Sequence, residues 1–173
     1  YKKIDKPIET FIVLDGETSL TTSFANAPKA TLYGGEVEAQ KYFDMSDWSD
    51  DEFFQTRRVV AIANYTYTKS ELKVSEGDTV SVFGASSTLA TDYFRDGSSL
   101  TGQSDHLVNL QLGLEDTENL SQQTLILSYA SKRVTSRGIA NQNQPDVYEY
   151  PGVNLDFVAR QGVQILGRQL DAK

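Results

Sequence analysis

Between Leu100 and Asp116 the chain reads LTGQSDHLVNLQLGLED, and from Leu107 onward its residues divide by parity. Val108, Leu110, Leu112 and Leu114 fall on one side, and Leu107, Asn109, Gln111, Gly113 and Glu115 on the other. A period of two marks a strand. One face is wholly aliphatic, while the opposite face carries amides, a glycine and a carboxylate. A soluble sheet would press the first face onto a core and leave the second in water. A membrane barrel would turn the first face to lipid and the second to a lumen. This strand fits both, so the rest of the chain must choose.

Other segments repeat the alternation. In Ala30 to Tyr42, Tyr33, Gly35, Val37 and Ala39 share a face opposite Gly34, Glu36, Glu38 and Gln40. Two carboxylates on one strand face need water or a wet lumen. Gln55 to Val74 reads as the longest strand, with Val59, Ala61, Ala63, Tyr65 and Tyr67 on one face. Leu120 to Arg137 reads as another, with Leu125, Leu127 and Tyr129 outward and Thr124, Ile126, Ser128 and Ala130 inward. Val153 to Gln161 follows, and a last strand starts near Arg168. Ahead of these, Tyr1 to Ile4 reads as a strand terminus bounded by Pro7, which cannot donate in a ladder. Ile8 to Leu14 and Ser19 to Phe24 form a hairpin around Asp15-Gly16, a dipeptide suited to turns. No helix-period segment appears, which argues against a βαβ fold.

The connections alternate in length. They are medium at 43–54, where one helical turn fits, long at 75–104, very short at 117–119, long at 138–152 and short at 162–167. Long and short connections in alternation gather the long loops at one end of an up-and-down antiparallel sheet, as in outer-membrane barrels. The expected fold is therefore all-β, an antiparallel up-and-down transmembrane β-barrel of which six or seven strands are present over residues 1–173. Both ends read as cuts: the chain opens at Tyr1 and closes on Leu170-Asp171-Ala172-Lys173, the start of another alternating strand. The expectation is a piece of a longer protein, which with two open edges would not insert as a working barrel alone.

Composition narrows the functional classes. With 16 Lys+Arg against 24 Asp+Glu, the net charge of -8 disfavours nucleic acid as a partner. There is no cysteine, hence no thiol chemistry. No apolar run approaches the ~18–20 residues of a membrane helix. The mean hydropathy of -0.41 is uninformative about membrane strands, because every second residue is polar.

The order LYGGEVEAQ, ANYTYTKSEL, LTGQSDHLVNLQLGLED, SYASKRVTSRG and PDVYEYPGVNLDFVAR resembles the C-terminal part of the barrel of TonB-dependent outer-membrane receptors. The resemblance runs from about Ala25 onward, and its specificity lies in the order and spacing of the pieces. It implies a twenty-two-stranded barrel closed by an N-terminal plug, in the bacterial outer membrane. It also implies energy-coupled uptake of a siderophore, cobalamin, haem or carbohydrate through TonB. This chain holds neither a plug nor a TonB box, so contact with TonB would run through the missing plug. Outer-membrane lipid and a small-molecule ligand are the other implied partners, and no cofactor is expected. Selectivity would reside in the loops 75–104 and 138–152.

Individual residues carry weaker signals. Glu36, Glu38, Asn109, Gln111, Glu115, Asp156 and Arg160 are the lumen-facing candidates. They serve either as contacts to substrate or plug, or as polar lining held by cross-strand hydrogen bonds and ion pairs, the plainer reading for most of them. The acidic run Asp44, Asp47, Asp50, Asp51 and Glu52 lacks the spacing and glycine of a calcium loop. It reads as a solvated turn flanked by Trp48, Phe53 and Phe54 as interface anchors. His106 is the single histidine. Ser104, Asp105 and His106 are sequence neighbours whose side chains alternate across a strand and cannot converge as a triad, so no enzyme is expected. Lys132, Arg133 and Arg137 fit either anionic headgroups or a solvated rim. The competing architecture is a soluble β-sandwich or adhesin-like binding domain, in which Leu110, Leu112, Leu127 and Phe157 would meet across a core ~10 Å thick.

Overall fold

The computed structural model describes residues 1–15, 19–82, 87–165 and 168–172. The fold is all-β. Strands β1 (Lys2–Asp5), β4 (Lys29–Asp44), β5 (Arg57–Lys73), β6 (His106–Asp116), β7 (Ser121–Ala130), β10 (Gly152–Ile165) and β11 (Arg168–Ala172) form one open sheet in the order β1-β4-β5-β6-β7-β10-β11. After the first step, each of these strands lies beside the next one in the chain, as the alternating connections require. A hairpin of β2 (Ile8–Asp15) and β3 (Ser19–Asn26) stands apart from that sheet, in antiparallel register from Ile8↔Asn26 to Asp15↔Ser19. A second small sheet pairs β8 (Arg133–Ser136) with β9 (Val147–Glu149). The only α-helical turn among the described residues is α1 (Glu52–Gln55), inside the medium connection. The Asp15-Gly16 turn reaches outside the described residues at Gly16, and the last turn does so at Gly167.

Local chemistry explains the boundaries. Pro7 separates β1 from β2, and Lys6 before it takes φ 53°. The β6–β7 turn is closed by Asp116, whose Oδ1 accepts from the N–H groups of Glu118 and Asn119 at 3.0 Å each. An Asx-type turn of this kind suits a short connection. Gly34 is required where β4 meets β5, because a Cβ there would run into the Tyr67 carbonyl oxygen and Thr68 Cα.

Three expectations are corrected. The strand expected over Leu120–Arg137 is two strands. At the break, Ser131 donates its N–H to the His106 carbonyl at 2.9 Å, while its hydroxyl accepts the His106 N–H at 3.0 Å. A side-chain oxygen thus occupies a ladder position, and the chain leaves the sheet for β8. The loop expected over 138–152 contains β9, which alternation does not reveal in three residues. The turn expected over 162–167 is mostly strand, since Gly162 pairs with Asp171 and β10 continues to Ile165.

Two compact units divide the chain. The first comprises residues 1–35, 67–106 and 130–152, and the second comprises 36–66, 107–129 and 153–173. The first holds the hydrophobic core cluster: Phe11, Ala25, Ala27, Ala30, Leu72, Val74, Val80, Val82, Ala90, Tyr93, Phe94 and Ile139. Phe11 stacks on Tyr93 (centroids 5.9 Å apart) and meets Phe94 edge-on at 6.1 Å. The long connection 75–104 is therefore a packed segment rather than an open loop. Its path is fixed by Leu72 N–H to Ser98 O at 2.7 Å, Gly97 N–H to Leu72 O at 2.9 Å and Val74 N–H to Asp96 Oδ1 at 2.9 Å.

Among the described residues, none of that cluster belongs to the second unit. Its buried apolar residues among those described are Met45 and Val60. Val37, Leu110, Leu112, Leu125, Val153, Leu155 and Phe157 are exposed, Phe157 to 66%. Leu110, Leu112 and Phe157 do not meet one another in a core. No helix among the described residues is long and apolar enough to cross a membrane, which says nothing about strands.

Candidate functional site

The candidate lumen residues lie on the strands of the second unit and are tied together in part. Asn64 donates to Glu36 Oε1 at 2.6 Å. Arg58 on β5 meets Glu115 on β6 at 2.9 Å, and Gln122 on β7 donates to the other oxygen of Glu115 at 3.2 Å. The Arg58 guanidinium also lies over the Tyr42 ring, 4.6 Å from its centroid. Gln111 and Glu115 line a small depression with Val60, Ile62, Gly113 and Thr124. Glu38, Asn109 and Asp156 are exposed, and Arg160 on β10 is half-buried. The face is a cross-strand network at Glu36 and Glu115 and an open polar surface at Glu38, Asn109 and Asp156. The aliphatic side chains occupy the other parity: Ala39, Ala61, Ala63 and Leu110 together line a shallow, mostly apolar groove.

The first unit contains a different kind of site. A cleft of about 500 Å³ opens between the end of the 75–104 segment, the β5 and β6 ends, and the β8–β9 pair. Its volume falls within the ~300–1,000 Å³ of small-molecule sites. The lining is polar and charged: Lys69, Ser98, Ser99, Gln103, Asp105, His106, Ser131, Lys132, Arg133, Asp146 and Tyr148. Most of the charges are matched. Lys69 meets Asp105 at 3.4 Å, Arg133 meets Glu149 at 2.7 Å, and Asp146 faces Arg95 at 3.4 Å and Arg137 at 3.9 Å. Lys132 is exposed, with its ammonium 5.2 Å from the centroid of the Tyr148 ring. His106 packs on Tyr67 with ring centroids 5.3 Å apart.

The cleft floor is braced by a buried ion pair that the sequence did not announce. Arg137, expected among solvated or headgroup-facing cations, is 2% exposed. Its Nε meets Glu9 at 2.5 Å, and it donates to the Ser99 carbonyl. Its backbone bonds Thr10 and Ile12 of β2. Glu9 also accepts from the Thr101 N–H at 3.3–3.4 Å. One arginine thus joins the β2–β3 hairpin, the 75–104 segment and the end of β8. Burial pushes the Glu9 carboxyl above its usual 4.5, and this outweighs the opposing pull of Arg137. A cation buried at this depth is retained only because it is paired and hydrogen-bonded.

Ser104, Asp105 and His106 are engaged separately. Ser104 is buried and donates to the Ser131 carbonyl at 2.8 Å, Asp105 pairs with Lys69, and His106 packs at a tilt against Tyr67. Among the described residues no group of three or more His, Cys, Asp or Glu side chains could hold a metal ion. Trp48 and Phe53 of the acidic connection are exposed, Trp48 to 59%.

The cleft takes Ser98 and Ser99 from the 75–104 connection and Asp146 and Tyr148 from 138–152, together with Lys69 and Asp105, which the sequence did not mark as cleft members. Their only signal was position beside a long connection. No protein-family model, curated protein or solved structure matches the chain.

Proposed function

We propose that this chain is the C-terminal part of the β-barrel of a TonB-dependent outer-membrane receptor, acting in energy-coupled uptake of a small-molecule ligand rather than in catalysis. One observation carries the reading. The strands of the second unit expose Val37, Leu110, Leu112, Leu125, Val153, Leu155 and Phe157 on one parity, while the opposite parity carries the Arg58–Glu115–Gln122 and Asn64–Glu36 contacts. Water disfavours a contiguous aliphatic surface of that kind, and lipid accepts it. The open sheet edges at β1 and β11 support the same reading. Hydrocarbon cannot satisfy unpaired backbone groups, so a spanning sheet needs further strands to close it. In this reading the strand segments of the second unit cross the lipid, and the loops of the first meet the ligand.

Against a soluble sandwich stand Leu110, Leu112 and Phe157, which are exposed and outside the core cluster, and Leu127, which is half-buried and also outside it. The absence of cysteine allows a direct test. Single nitroxide labels at Leu112, Leu155, Gln111 and Asp156 are placed in the full chain, refolded in detergent, with β-structure verified by circular dichroism. Relaxation by oxygen, which partitions into the apolar phase, is expected to dominate at Leu112 and Leu155. A polar nickel chelate is expected to dominate at Gln111 and Asp156. Equal accessibility at both parities, or immobile labels at Leu112 and Leu155 without oxygen access, would refute the membrane reading.

A further inference from the structure

We infer that the cleft of the first unit binds an acidic sugar, a hydroxylated monocarboxylate of the uronate class, with Lys132 taking the carboxylate and Tyr148 the pyranose face. Four observations point to this chemistry. First, the lining is dominated by charged groups, hydroxyls and amides, so an apolar ligand would strand polar atoms that need partners. Second, Lys132 is the lining cation with no carboxylate partner among the described residues, whereas Lys69 is engaged by Asp105 and Arg133 by Glu149. One available cation calls for one negative charge.

Third, Asp105 and Asp146 stand in the wall. Each is already paired, Asp105 with Lys69 and Asp146 with Arg95 and Arg137, so neither leaves free positive charge for a dense anion, while their remaining lone pairs can accept sugar hydroxyls. Gln103 and Ser131 add amide and hydroxyl partners. A ligand with one carboxylate and many hydroxyls reconciles the lone cation with the two wall carboxylates, which a dense anion does not. Fourth, Tyr148 exposes 45% of its surface at the cleft beside the Lys132 ammonium. An aromatic face next to a cation offers a platform for the C–H face of a pyranose whose carboxylate reaches that cation. The volume of about 500 Å³ admits a short oligosaccharide.

The site is preorganised. The Glu9–Arg137 pair fixes Ser99 from behind, and Ser131 is held by His106 and Ser104. Ligand binding therefore orders little besides the exposed Lys132 and Tyr148 side chains. As a transported cargo this ligand rests on the uptake reading. As a ligand of the cleft it does not, so equilibrium binding and spin-label accessibility fail independently.

The test is calorimetric titration of the full chain in detergent with the monocarboxylate galacturonate, and with neutral galactose as the uncharged counterpart. Galacturonate is expected to bind at least about tenfold more tightly than galactose, the tenfold corresponding to ~1.4 kcal/mol for one charge-assisted contact. Lys132→Ala should remove that preference while leaving weak binding of both sugars. Lys132→Glu should reverse it, and Tyr148→Ala should weaken both sugars together. Both side chains are exposed, so circular dichroism of each variant should match the parent. Equal affinity for the acidic and neutral sugars overturns the inference. So does no heat from either at millimolar concentration, an unchanged preference in Lys132→Ala, or stronger binding of inorganic phosphate or citrate than of galacturonate.

Discussion

The two compact units are built from the same alternating strands and use them in opposite ways. In the first, Phe11, Leu72, Tyr93 and Phe94 converge on one another, and the connection 75–104 supplies much of the core. In the second, residues of the same kind, including Leu112, Leu155 and Phe157, point away from any protein core. Stability in the first unit comes from side-chain packing and one buried ion pair. Stability in the second comes from backbone ladders, from cross-strand contacts such as Arg58–Glu115, and from whatever medium covers the aliphatic face. Alternation therefore specifies a strand with two unlike faces without specifying what each face meets.

Substitutions can break this contrast. Phe11→Ala empties the center of the first core and is expected to cost about 3–5 kcal/mol. The matching Leu155→Ala in the second unit removes no protein contact of that kind and should change stability by no more than about 0.5 kcal/mol. Hydrogen exchange on the full chain resolves the two: protection should fall in residues 67–82 for the first variant and stay unchanged in residues 153–163 for the second. Comparable losses would mean that the second unit also has a core.

The ion pair sharpens the comparison. Glu9→Ala leaves the Arg137 guanidinium buried without its side-chain acceptor, a change worth about 3–5 kcal/mol when a buried pair loses one partner. The parent should also respond to pH. Burial, against the opposing effect of Arg137, raises the folded Glu9 value above 4.5, so the folded state holds this proton longer than the unfolded chain. The Glu9 contribution is then fully present below pH 4.5 and is lost as pH rises through the folded value. Denaturant titrations across that window should show the fall in the parent and its absence in Glu9→Ala. A rise in the parent would reverse the assignment.

Two glycine positions give a smaller contrast. Gly34→Ala drives a Cβ into the Tyr67 backbone and should cost about 1–3 kcal/mol. Gly113→Ala meets Val60 and Thr124 at 3.6–3.7 Å, ordinary contact, and should shift stability by no more than about 0.5 kcal/mol. Denaturation midpoints of the two variants separate a fixed backbone approach from a tolerant one.

The legibility of each element followed the range of the interaction that made it. The strands His106–Asp116 and Arg57–Lys73 and the turn after Asp116 were readable because alternation and turn chemistry are local. The break after Ala130 was not, because it depends on Ser131 bonding His106, which lies twenty-five residues away in the chain. The cleft was legible only as two long loops. Lys69, Asp105, Lys132 and Tyr148 converge through strand pairing, to which local pattern is blind.

By itself the sequence determined an all-β chain with two-faced strands and a meandering order set by alternating connection lengths. These follow from periods and spacings within one stretch of chain. Only the tertiary structure decided that Arg137 and Glu9, 128 residues apart, would share a buried site and that the long 75–104 connection would become core. It also left the aliphatic side of Leu110, Leu112, Leu155 and Phe157 exposed. Burial is a property of what surrounds a face, and no residue carries that information alone.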